Sequence, residues 1–211
     1  MYWNWNAYLM PAWLLGIAAR YLVLLPLRAL CLLLGFVVFA LTFPCVKLVA
    51  LTPCLRGRTQ AAEVALIQLL ASAFVASWHG VVRFHGIRPT PTEASKARQG
   101  IFVANHSSMI DFIILLQSHP YAVVGQKHGG WVGFMQDHVL SAIKCVWFNR
   151  GESEDKRATA DRMVAHVRDA ANAKFPLLIF PEGTCVNNEY VVQFKKFVFE
   201  LGVPIHPIAI K

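Results

Sequence analysis

The chain has 211 residues, enough for one domain with a sizeable core. Only 15% of them are charged and 56% are hydrophobic, with a mean hydropathy of +0.46, where an ordinary soluble domain carries about 25% charged residues. That balance points to membrane contact, and a formal charge of +8 suits anionic partners; the basic residues are scattered and match no nucleic-acid motif, so nucleic acid is set aside.

Residues 1–87 read as a membrane-associated helical region. The start, Met1-Tyr2-Trp3-Asn4-Trp5-Asn6, has no basic n-region, so no cleaved signal peptide is expected. Residues 29–46 form an uncharged run at the threshold length for a spanning helix, and Pro44 is expected to bend its end. A second uncharged run, 64–82, includes Gln68, Ser72, Ser77 and His79 and suits either crossing the bilayer or lying on it. Basic residues flank both runs, so charge asymmetry sets no orientation; two spans and a re-entrant hairpin both fit. The five cysteines form no CxxC pair and no Cys/His cluster has zinc spacing, so reduced thiols facing the cytosol and no metal site are expected.

Residues 88–100 are a linker of prolines and small polar residues. Beyond it, 101–211 alternates apolar strands and helices: strands over 101–104, 121–125, 145–148, 176–180 and 205–210, helices over 109–117, 131–143 and 153–173, and a helical stretch over 191–201. The pattern predicts an α/β domain, a mixed sheet flanked by helices, preceded by the membrane helices. Strand character runs to Ile210, so the domain is expected to be C-terminally incomplete.

The chemistry-bearing residues fall at strand ends, where functional loops belong. His106 follows the first strand and Asp111 comes five residues later. With His106 in the turn and Asp111 in the first turns of the next helix, the carboxylate can hold one ring nitrogen while the other faces substrate, the arrangement of a general base. Spacing alone favours two unrelated polar residues, the aspartate simply suiting a helix N-terminus. Pro181-Glu182-Gly183-Thr184 follows the fourth strand: proline stops it, Gly183 permits a tight turn, and Thr184 with exposed backbone N–H groups can bind an anion. Arg150, after the third strand, can meet a phosphate, and Lys195 and Lys196 add positive charge beyond the Pro-Glu-Gly-Thr turn. His206 reads as structural.

Taken together and in order, His106-xxxx-Asp111, Phe148-Asn149-Arg150, Phe180-Pro181-Glu182-Gly183-Thr184 and Val203-Pro204-Ile205-His206-Pro207 resemble the four blocks of the glycerolipid acyltransferase family. The runs from Val124 to Gly130, from Phe180 to Asn188 and from Ile205 to Lys211 look most like its microsomal glycerol-3-phosphate acyltransferase branch, isoforms 3 and 4. In that branch a Gly-Ser pair usually follows the double lysine; here Phe197-Val198 stand there and are expected to reshape that side of the pocket. The resemblance implies acyl transfer from acyl-CoA, as co-substrate, to the sn-1 hydroxyl of glycerol 3-phosphate. His106 and Asp111 would be catalytic; Arg150, Glu182, Gly183, Thr184 and Lys195 would bind the substrate. No metal or tightly held cofactor is required, and no acyl-enzyme is expected. The partners would be acyl-CoA, glycerol 3-phosphate or a lysophospholipid, and a lipid bilayer, that of the endoplasmic reticulum or a lipid droplet, with the catalytic domain cytosolic. The rival readings are a lysophosphatidic acid or lysophosphatidylcholine acyltransferase and a catalytically silent membrane-hairpin relic.

Overall fold

The computed structural model describes residues 6–78, 81–86, 100–149, 153–187, 189–190 and 192–211. The linker expected over 88–100 falls outside them except for Gly100.

The N-terminal region is a helical hairpin. Its first arm runs unbroken from Ala7 to Val49: a 3-10 turn (Ala7–Leu9), helix α1 (Met10–Ala18), a π-helical stretch (Ala19–Leu24) and helix α2 (Leu25–Val49). The wider π turns precede Pro26, where the missing N–H and the ring would otherwise disturb an α-helix, and the Leu25 N–H reaches back to the Arg20 carbonyl. The second arm is α3 (Arg56–Trp78). Both arms contain stretches long and apolar enough to cross a membrane, and each exceeds its uncharged run.

Helix α3 begins eight residues before the run predicted at 64–82, because its polar first turns find partners. Glu63 is buried and its Oε2 accepts from Lys47 Nζ on α2 at 2.6 Å. Gln60 and Gln68 each donate a side-chain amide to the α/β domain, to the Ala142 and Leu116 carbonyls. The buried positions Thr59, Glu63, Ile67, Ala71 and Val75 recur every fourth residue, one stripe along the helix. Gly35 lets the arms approach closely: a Cβ there would stand 2.5 Å from Ala73 Cβ.

The α/β domain has strands β1 (Ile101–Ala104), β2 (Ala122–Gln126), β3 (Val146–Phe148), β4 (Leu177–Ile179) and β5 (Ile205–Ile208), in the order β3-β2-β4-β1-β5. Helices α4 (Asp111–Leu116), α5 (Gly130–His138) and α6 (Ser153–Arg168) follow β1, β2 and β3. Among the described residues every pairing is parallel, where a mixed sheet was expected. Consecutive strands here are joined by long crossovers, not tight hairpins, and each crossover returns the chain in the same direction. The two central strands, β1 and β4, are buried on both faces, whereas the edge strand β5 is largely exposed. Ile101, Val103, Leu177 and Ile179 join a cluster that reaches Phe39, Phe43, Ile67 and Ala71 of the hairpin; Phe102, Ala104 and Leu178 join Leu115 and Tyr121 on the other face. Within the stretch expected to be helical over 191–201, the described residues form a 3-10 turn, Lys196–Phe199, and no longer helix. There the Lys195 N–H bonds across to the Pro181 carbonyl instead of entering a helical ladder.

Candidate active site

β1 and β4 are neighbours at the centre of the sheet, yet the chain leaves β1 toward β2 and β4 toward β5, in opposite directions. Parallel sheets open a crevice at such a point, beyond the carboxyl ends of the strands. His106 and Pro181-Glu182-Gly183-Thr184 lie there.

His106 is held on three sides. Its Nδ1 lies 3.1 Å from Asp111 Oδ2. Its ring stacks on Phe180, centroids 4.1 Å apart and planes 22° from parallel. Its backbone N–H donates to Glu182 Oε1 at 3.2 Å and its carbonyl accepts from Val186 N–H at 2.8 Å. Nε2 is the ring nitrogen left for the cavity that the histidine lines.

Asp111 is 2% exposed, and its carboxylate gathers the turn around itself. Oδ2 also accepts from the Ser107 and Ser108 N–H groups, at 2.7 and 2.8 Å, and Oδ1 accepts from Ser107 Oγ at 3.1 Å. A buried carboxylate is tolerable only with such donors. They also explain why α4 starts at Asp111 and not at Met109: residues 107–110 form a turn whose amides serve the carboxylate, not a helix.

Glu182 is 6% exposed; its Oε1 takes the His106 N–H and its Oε2 is buried without a partner among the described residues. It points at the histidine backbone and is not among the cavity-lining residues. Gly183 has φ +69°, a left-handed turn, with the Lys195 side chain 3.4 Å from where its Cβ would be. Gly183, Thr184 and Lys195 line the cavity and are exposed. Arg150 lies outside the described residues. His206 is away from the cavity, stacked on Phe102 at 5.0 Å with its Nε2 buried and unpartnered among the described residues.

The cavity measures about 910 Å³ and is mostly apolar, with walls that include Val123, Trp147, Met163, Ile179, Phe197 and Val198. Phe197 and Val198 thus form part of the pocket wall. Among the described residues its lining includes Lys195, Arg157, His106 and His128 but no carboxylate. Cys185 lines it beside the Pro-Glu-Gly-Thr turn; partial burial and the nearby Asp111 and Glu182 carboxylates raise its thiol pKa. Among the described residues, no group of three or more His, Cys, Asp or Glu side chains is placed to hold a metal ion.

Two partners of the site were not singled out from the sequence. The Asn105 side chain exchanges both hydrogen bonds with the Ile210 backbone, at 2.8 and 2.7 Å, and so clips the chain after β5 to the turn carrying His106. Phe180 provides the platform for the imidazole. The available signal was position: each directly follows a buried strand.

The acyltransferase family model matches residues 81–211. Glycerol-3-phosphate acyltransferase 3 of Homo sapiens is 40% identical over 200 residues, covering 94% of this chain and 43% of the relative. The same enzyme of Xenopus laevis is 40% identical over 94% of this chain and 42% of its own length. Glycerol-3-phosphate acyltransferase 4 of Mus musculus is 39% identical over 94% of this chain and 41% of its own. The chain therefore spans about two fifths of the length of these relatives. No solved structure matches it.

Proposed function

Because this chain belongs to the acyltransferase family, we propose that it transfers the acyl group of acyl-CoA to the sn-1 hydroxyl of glycerol 3-phosphate, giving lysophosphatidic acid at a membrane surface. The similarity to glycerol-3-phosphate acyltransferases 3 and 4 supports the acceptor, and the apolar hairpin supports the location. The carrying observation is an imidazole fixed through Nδ1 by a buried carboxylate and opening onto a large apolar cavity.

In this reading the glycerol hydroxyl lies against His106 Nε2, which takes its proton as the oxygen attacks the thioester carbonyl. Asp111 and the Phe180 face stabilise the imidazolium that forms. The tetrahedral intermediate collapses, the carbon–sulfur bond breaks, and the proton passes from Nε2 to the departing CoA thiolate. No protein nucleophile takes part. The acyl chain occupies the apolar cavity. Arg150, Lys195 and the Gly183-Thr184 turn bind the glycerol phosphate, and proximity converts their encounter into attack geometry. Glu182 is a positioning residue, bracing the His106 backbone while lending negative charge beside the imidazole. The membrane is that of the endoplasmic reticulum, with the α/β domain on its cytosolic side.

The test presents labelled acyl-CoA to the full chain in liposomes, with glycerol 3-phosphate, lysophosphatidic acid or lysophosphatidylcholine as acceptor. Product from glycerol 3-phosphate is expected, and His106→Ala should lower the rate by about 10²–10⁴. Labelling of lysophospholipids alone overturns the acceptor assignment. No product with any acceptor, or an equal rate in His106→Ala, overturns the enzymatic reading in favour of the relic.

A further inference from the structure

Helix α5 is built inside out. A helix on a soluble domain turns its apolar stripe inward and its polar residues to water. Here the buried positions are Gly133 and Gln136, while Trp131, Val132 and Phe134 are 67%, 53% and 48% exposed. Polar and backbone contacts secure the helix. Gln136 Oε1 accepts from the His128 N–H at 2.9 Å, and its Nε2 donates to the Gln126 carbonyl at 2.8 Å. Gly133 lies against the His128 carbonyl so closely that a Cβ would come within 2.3 Å of the oxygen. The helix is thus fixed in the orientation that exposes its aromatic face, and Trp131 and Phe134 stack into one slab, centroids 5.3 Å apart.

Two further observations indicate what covers that face. Val132 and Met135 line the apolar cavity, so the exposed face runs continuously into it; Met109, 71% exposed, lines the same cavity. The 3-10 turn that follows α5, Leu140–Ile143, is tied to the hairpin by the bond from the Gln60 amide to the Ala142 carbonyl. Gln60 lies in the polar first turns of α3, near the Lys47–Glu63 pair, at the end of the hairpin richest in charge. α5 therefore lies near the polar end of an element that is otherwise apolar enough for a bilayer. Tryptophan and phenylalanine at that level suit the boundary between headgroups and acyl chains.

We propose that α5 is a second, shallow membrane contact, inserting Trp131, Val132 and Phe134 among the lipid chains and opening the cavity directly onto the leaflet. The inference rests on the face and its continuity with the cavity, and holds for whichever acceptor the site uses.

The test uses the full chain with its five cysteines replaced, carrying one cysteine at a time as Trp131→Cys, Phe134→Cys, Leu33→Cys on α2 or Asp161→Cys on the exposed side of α6. Each is labelled with an environment-sensitive dye and reconstituted in liposomes containing lipids with a nitroxide near the top of the acyl chain. The expected result is a blue shift and loss of emission at positions 131 and 134, as at 33, with neither at 161. Emission at 131 and 134 matching that at 161 overturns the proposal. So does a blue shift that disappears on dilution with more lipid, or crosslinking between cysteines at 134, since either would mean that a second copy covers the face. The labelled positions are surface residues, and circular dichroism of each variant confirms that the fold is retained. Unlabelled protein in brominated-lipid liposomes provides an independent check: Trp131→Tyr should remove a component of the tryptophan quenching, and an unchanged quenching amplitude also overturns the proposal.

Discussion

Replacing Asp111 with asparagine separates the charge of the carboxylate from its shape. The asparagine oxygen can take the place of Oδ2 and keep the Ser107 and Ser108 N–H groups, while its NH₂ meets Ser107 Oγ in place of Oδ1. The turn should therefore survive. What disappears is the negative charge 3.1 Å from His106 Nδ1. Unit charges about 4 Å apart at an effective dielectric of about 20 attract by about 4 kcal/mol. Both side chains are mostly buried, so solvent screens little of this. If the transition state has developed most of the imidazolium charge, the loss corresponds to about a 10³-fold fall in kcat, at about 1.4 kcal/mol per decade. That lies inside the range of about 10²–10⁴ for general-base catalysis. The assay is initial-rate acyl transfer in liposomes, with kcat and KM separated and circular dichroism to establish the fold. A folded Asp111→Asn protein with kcat within about threefold of the parent would refute an electrostatic role for the carboxylate.

Three further outcomes follow from the packing. Burial lowers the pKa of the His119 and His166 imidazoles from 6.5. Below 6.5 the unfolded chain binds protons that these folded residues refuse, so stability should fall as the pH drops below that value and stay level above it; denaturant midpoints across that range measure this, and His166→Gln should flatten the slope. Gly35→Ala places a methyl 2.5 Å from Ala73 Cβ, and should destabilise the hairpin by about 1–3 kcal/mol in denaturation of the reconstituted protein, with Gly35→Ala/Ala73→Gly recovering much of the loss. Asn105→Leu removes both bonds to the Ile210 backbone and should cost about 2 kcal/mol, with faster hydrogen exchange at the Ile210 amide as its local signature.

Much of the α/β domain was legible because each strand is a short apolar run closed by a turn residue, a pattern that survives without knowledge of partners. The pocket that His106, Gly183 and Thr184 share was legible for the same reason: these residues follow such runs closely. What could not be read depended on distant partners. Thr59, Gln60 and Glu63 look like a polar stretch between two apolar segments, yet Glu63 meets Lys47 and Gln60 meets Ala142, so α3 extends through them. Residues 191–201 have helical composition, but the bond from Lys195 to Pro181 commits the backbone elsewhere. α5 was legible as a helix, while its facing was not, because Gly133 and Gln136 are buried by neighbours that a periodicity count does not contain. The parallel direction of the strands likewise depends on the crossovers, not on the strands.

The position of β1 also sets an order of events during synthesis. The hairpin arms contact each other locally in sequence and can pair as soon as both have emerged. β1 cannot: its two hydrogen-bonded neighbours are β4 and β5, and the long-range bonds of the His106 turn run to Glu182, 76 residues on, and from Asn105 to Ile210, 105 residues on. Contacts of such long range form late. Both apolar arms of the hairpin have therefore emerged well before the turn that holds His106 can close. The apolar part of this fold is complete in local sequence, while the candidate site waits for the last strand.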